Sequence, residues 1–158
     1  MIAIALAFLL AFFTPAPIEV PIEVVGASQS NLLAVVEEVI KFYQDEFGIL
    51  LVDWDPEMGP DRVTVEFIHD LGPETQEGYI SGRYQRLLVA KDNSIVGVEH
   101  RVALWQSSCK KVVTLAHELA HALGAKHSSG GLMSTHCEKS TLAIDPENRE
   151  IVKEGRLQ

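Results

Sequence analysis

Between residues 32 and 47 the apolar positions Leu32, Val35, Val36, Val39, Ile40, Tyr43 and Phe47 recur at steps of three and four, with Glu37, Glu38, Lys41 and Asp45 between them. That is the period of an α-helix with one buried face. Ser30 or Asn31 stands where such a helix needs a cap, and Gly48 where it stops. A helix with one apolar side must cover something, most simply a sheet. Strand patterns flank it. Residues 18–25 alternate Ile18, Val20, Ile22 and Val24 with Glu19 and Glu23, and residues 62–68 alternate Val63, Val65 and Phe67 with Thr64 and Glu66. Residues 84–90 and a segment within 95–105 are further strands, the second interrupted by Gly97, Glu99, His100 and Arg101. Loops are expected at 53–62, around Pro56, Gly59 and Pro60, and along the Gly-rich polar stretch 71–82.

A second helical pattern covers about residues 109–125, with Val112, Val113, Leu115, Ala116, Leu119, Ala120, Ala122 and Leu123 as its apolar positions and Ser107 or Ser108 as its cap. His117 and His121 lie on it four residues apart, which sets two imidazoles on one face about one turn apart, within reach of one metal ion. Glu118 lies beside them. Gly124 follows where the helix ends and can adopt the left-handed conformation that turns the chain. The turn lets His127 come back to the same ion, which a helix continued for ten residues would prevent. Three imidazoles leave a fourth tetrahedral position open for water, the arrangement of a catalytic zinc site and not of a closed structural one. Zinc would acidify that water and polarise a carbonyl, with Glu118 moving the proton as general base and then general acid. A lone His on a helix is more often a core or surface residue than a ligand. Five residues of three types at set spacing are a different matter.

Composition narrows the class. A chain of 158 residues, 47% apolar and 22% charged, fits one globular domain with one active site. The net charge is -9 and no basic run exceeds Lys110-Lys111, so the electrostatic footprint of a nucleic-acid binder is missing. An acidic surface would mildly attract basic substrates. Asp53, Asp55, Glu57 and Asp61 lack the ligand spacing of a calcium loop and are read as a solvated loop.

Residues 1–13 are almost wholly apolar and end at Thr14-Pro15-Ala16-Pro17, the length of a signal-peptide core and too short to span a membrane. This divides the chain into a leader at 1–16, cleaved on export or kept as an N-terminal anchor, and one domain at 17–158. No Lys or Arg precedes the apolar run, and an ordinary buried strand is the third reading. In an exported chain the only two cysteines, Cys109 and Cys137, are expected to form one disulfide; the alternative is two buried thiols.

His117 to His127 reads HELAHALGAKH, followed by SSGGLMS with Met133, and here the chain resembles the metzincin metallopeptidases. Ser128 directly after the third His, and the short distance to Met133, are similar to the matrixin branch. The resemblance implies an α+β, zincin-like fold: a twisted mixed sheet with an antiparallel edge strand, drawn from residues 84–101, backed by two long helices. It also implies a small C-terminal subdomain from about residue 128, with a Met-turn in which Met133 forms an apolar floor under the metal, and a final helix. Residues 145–154 fit that helix, with Asp145 as cap and Pro146 at the first helical position. The activity implied is that of a zinc endopeptidase with one catalytic ion per chain, His117, His121 and His127 as ligands, Glu118 as base, and Gly124 and Met133 as supports. A peptide or protein would be the substrate, paired along the edge strand.

The chain also departs from the family. No cysteine precedes Cys109, so a cysteine-switch prodomain is not expected, and Thr135 stands where some members place a Tyr ligand. Cys109, His136 and Cys137 make at most an incomplete second zinc site, with a disulfide favoured, and His69 and His100 are read as surface or core residues. The local chemistry alone also admits a secreted zinc-binding module without turnover, or a zinc hydrolase of another bond. Glu118 beside an open position counts against the first of these.

Overall fold

The computed structural model describes residues 16–26, 30–70, 72–75, 78–79, 81–105, 110–136 and 139–158. The leader up to residue 15, the cap expected at Ser107 or Ser108, and both cysteines, Cys109 and Cys137, lie outside the described residues.

Strand β1 (Ile18–Val25) leads into helix α1 (Ser30–Phe47), which returns the chain to lay β2 (Ile49–Asp53) parallel to β1. A parallel pair needs such a crossover, and Gly48, at φ 70°, ends the helix and makes the turn into β2. After a short 3-10 turn (Pro56–Met58), β3 (Arg62–Ile68) joins the other side of β1, again parallel. Two short strands, β4 (Glu74–Thr75) and β5 (Gly78–Tyr79), form a separate hairpin. Strand β6 (Gly82–Lys91) and β7 (Ser94–Trp105) then form a long antiparallel hairpin through Asp92 and Asn93, both at positive φ as a tight hairpin turn requires. The sheet order is β2-β1-β3-β7-β6, so β6 is its antiparallel edge.

Among the described residues the fold is therefore a mixed α/β arrangement of a five-stranded sheet with one antiparallel edge pair and three helices, α2 (Lys111–Ala122) and α3 (Pro146–Lys153) completing the set. Val20, Ile22, Val63, Val65, Phe67, Val102 and Leu104 are buried against the helices. The opposite face carries polar groups, with Arg62 paired to Glu23 and Arg101 to Glu99. Alternation along the strands thus becomes one dry and one wet face. Tyr43, fully buried on α1, donates its hydroxyl proton to the carbonyl of Ala116 on α2 at 2.8 Å, tying together the two helices that back the sheet.

Three expectations needed adjusting. Strand β2 had no sequence signal of its own, because Ile-Leu-Leu-Val after a glycine is too short to show a period. Strand β7 continues through Gly97 and Glu99, since pairing with β6, joined by β3 from Glu99 onward, supplies what the local pattern lacks; the register shifts beside Gly97, opposite Val89 and Ala90. Helix α2 spans Lys111–Ala122, and its N-cap Lys110 makes no side-chain capping bond. No helix of the described residues is long and apolar enough to cross a membrane.

Candidate metal centre

Helix α2 sets the geometry. Leu115, Ala116, Leu119, Ala120 and Leu123 bury one face in the core, each leucine contributing about 1.5 to 3 kcal/mol by burial. This orientation turns His117 and His121 together onto another face. The helix ends in a Schellman motif: Ala125 N–H bonds to Ala120 O at 2.9 Å and Gly124 N–H to His121 O at 3.0 Å, with Gly124 at φ 92°. A Cβ at Gly124 would also lie 2.6 Å from Gln158 Cγ. Conformation and space both require glycine here.

The turn brings His127 back. Nε2 of His121 lies 3.1 Å from Nε2 of His117 and 3.1 Å from Nε2 of His127, and ligand atoms of all three residues lie within 4.8 Å of one another. His117 Nδ1 contacts Leu132 O at 2.6 Å, and His121 Nδ1 contacts Ala125 O at 2.8 Å. A carbonyl can only accept, so each Nδ1 donates a proton and each Nε2 presents a lone pair. Two such nitrogens 3.1 Å apart cannot hydrogen-bond to each other. They repel unless a cation lies between them. Ligands of a tetrahedral zinc at about 2.0 to 2.1 Å stand about 3.3 Å apart, close to the two separations that His121 makes, so the three residues fit a zinc ion.

Electrostatics point the same way. Burial, opposed by the Leu132 hydrogen bond and reinforced by the other two histidines, lowers the His117 pKa to about 4, and burial likewise lowers that of His121. Both imidazoles are neutral near pH 7, as metal ligation requires. Glu118, only 8% exposed, has its pKa raised by burial to about 7, opposed by the N–H of Tyr84 and the charge of Arg83. A carboxyl titrating there can both take and give a proton near neutrality.

The residues singled out from the sequence are thus distributed as follows. His117, His121 and His127 converge, Glu118 is buried beside them on the same helix, and Gly124 makes the turn. Met133 is fully buried, in a turn where Ser128 N–H bonds to Met133 O at 2.9 Å; the atom of that turn bonded to the triad is the carbonyl oxygen of Leu132.

Four contributors carry no signal readable from the sequence. Asn148, on α3, hydrogen-bonds both backbone groups of Lys126, the residue before His127. Gly82 lets β6 approach α2 so closely that a Cβ there would lie 2.9 Å from Glu118 Cγ. Tyr84 stacks on His121, with ring centroids 6.2 Å apart, and its hydroxyl meets Nδ1 of the buried His100 at 2.8 Å. His100 is therefore a core residue joined to the site by one intermediary. Only contacts between distant segments reveal such roles.

No protein-family model matches the chain, and a search of curated proteins finds no match either. Among solved structures the chain is similar to high choriolytic enzyme 1, a hatching enzyme zinc-protease from the medaka fish Oryzias latipes, at 17% identity and a TM-score of 0.46. The match covers 72% of this chain and 46% of the other, so the chain spans just under half that neighbour's length.

Proposed function

We propose that the chain is a zinc-dependent endopeptidase of metzincin type, with His117, His121 and His127 holding one ion and Glu118 as the catalytic base. The observation that carries this reading is the convergence of three imidazole Nε2 atoms, two of them with their proton assigned to Nδ1, beside a buried carboxyl. The motif from His117 to His127 and the turn at Met133 support the family.

Bound zinc supplies a Lewis acid that polarises a carbonyl and lowers the pKa of a water to about 7. Glu118 takes a proton from the attacking water on a carboxylate oxygen and returns it to the leaving amine nitrogen. Its burial keeps the proton affinity high enough for the second transfer, and the Tyr84 N–H steadies the carboxylate for the first. The peptide lies along the edge of β6, whose backbone groups have no further strand to pair with among the described residues. Gly82, with no side chain, leaves room for Glu118 at that edge.

The test is zinc content and peptide-library cleavage, measured for the chain and for Glu118→Gln. One zinc per chain in both, with cleavage confined to the unmodified chain, is expected. Zinc bound without cleavage in either points to the binding-module reading, and equal cleavage in both removes Glu118 as the base.

A further inference from the structure

Strand β6 reads GRYQRLLVAK: three basic residues and no acidic one, in a protein whose net charge is -9. Its position gives that composition meaning. Gly82 abuts Glu118 and Tyr84 stacks on His121, so Arg83 lies between two residues that touch the candidate centre. Arg86 is two residues beyond Tyr84 and paired across the hairpin with His100, on the same face as Tyr84, while Arg83 belongs to the other face of this edge strand, so that the two arginines meet alternate side chains of an extended peptide. Both arginines are exposed.

The sheet's other arginines are neutralised, Arg62 by Glu23 and Arg101 by Glu99, whereas neither Arg83 nor Arg86 pairs with a carboxylate among the described residues. Lys126, directly before His127, is exposed and likewise without an ion pair among the described residues. The Asp61 carboxylate accepts the Val98 N–H at 3.1 Å, on the β7 side of the hairpin.

We infer that the site selects acidic peptides: Arg83 and Arg86 on β6 bind carboxylate side chains flanking the bond that is cut. This rests on the peptidase reading and names its substrate class. A guanidinium offers a fork of donors that matches a carboxylate, and a peptide laid along β6 passes both arginines in extended form. The overall negative charge would favour basic peptides at long range. Screening with a Debye length of about 8 Å, however, leaves a bound peptide responding chiefly to the charges beside it, among them Arg83 and Arg86.

The experiment uses the zinc-loaded full chain and peptides identical except for Glu, Gln or Lys at each of the positions flanking the cleaved bond. kcat/KM is expected to fall in the order Glu, Gln, Lys at one or more positions, by roughly fivefold per step at low salt, shrinking towards unity at high salt. In Arg83→Gln/Arg86→Gln the ratio between Glu and Gln peptides should collapse. Equal or faster cleavage of the Lys peptides overturns the inference while leaving the peptidase reading intact. So does a Glu preference undiminished in the double variant. Cleavage of none of the peptides by zinc-loaded protein overturns both.

Discussion

Asn148 holds Lys126 by both of its backbone groups: the side-chain amide donates to Lys126 O at 2.9 Å, and its oxygen accepts the Lys126 N–H at 2.8 Å. Asn148 is buried on α3, where its own N–H is bonded to the capping carboxylate of Asp145 at 3.0 Å. A residue in the last helix therefore fixes the backbone between Ala125, whose carbonyl orients His121, and His127 itself. Asn148→Asp replaces the donor facing Lys126 O with an acceptor. Zinc affinity, measured by competition with a chelator, is expected to fall about tenfold, within the range for lost outer contacts to a metal site. Affinity equal to that of the unmodified chain would show that the 125–127 segment holds itself.

Gly82→Ala separates chemistry from metal binding. A Cβ at this position would meet Thr114 Cγ2 at 2.6 Å and Glu118 Cγ and Oε1 at 2.9 Å, so the Glu118 side chain must shift. A misplacement of about 1 Å can cost on the order of a hundredfold in rate. Zinc content should stay at that of the unmodified chain while kcat falls at least tenfold. Unimpaired turnover would mean that β6 yields instead of Glu118.

Tyr84 lies stacked between His100 and His121, with interplanar angles of 17° and 23°. Tyr84→Phe keeps the ring but strands Nδ1 of the buried His100, which should cost about 1 to 3 kcal/mol of stability in denaturant titrations while leaving zinc affinity nearly unchanged. Tyr84→Ala removes the ring and should weaken zinc as well. If all three proteins bind zinc alike, the stack does not orient His121.

In chelator-treated, metal-free protein, Glu118 should make stability fall with pH. Its folded pKa is raised to about 7 from an ordinary value of 4.5, so between those values the folded state binds more protons than the unfolded state. The favourable contribution is complete below pH 4.5 and lost as pH rises through 7. At about 1.4 kcal/mol per pKa unit the loss is about 3 kcal/mol. Metal-free Glu118→Gln should therefore match the unmodified chain at pH 4 and exceed its melting temperature by roughly 6 to 12 °C at pH 8. His117, lowered to about 4, works in the opposite sense between 4 and 6.5 but is common to both proteins and cancels. A melting difference that does not change with pH would refute the shift.

The sequence by itself determined the local features: helix α1 to its stop at Gly48, strands β1 and β3, the cap at Asp145, and the helical spacing of His117 and His121. These follow from periods of two and 3.6 and from the conformational freedom of glycine, all of which act within a few residues. Tertiary structure alone decided which lone pairs those histidines present, because the carbonyls of Leu132 and Ala125 that accept their Nδ1 protons are positioned by a turn and a helix cap. It also decided the titration of Glu118, which depends on how much water the packing of β6 against α2 excludes. The roles of Asn148, Gly82, Tyr84 and His100 arise in the same way, since a hydrogen bond or a close approach across the fold has no period along the chain.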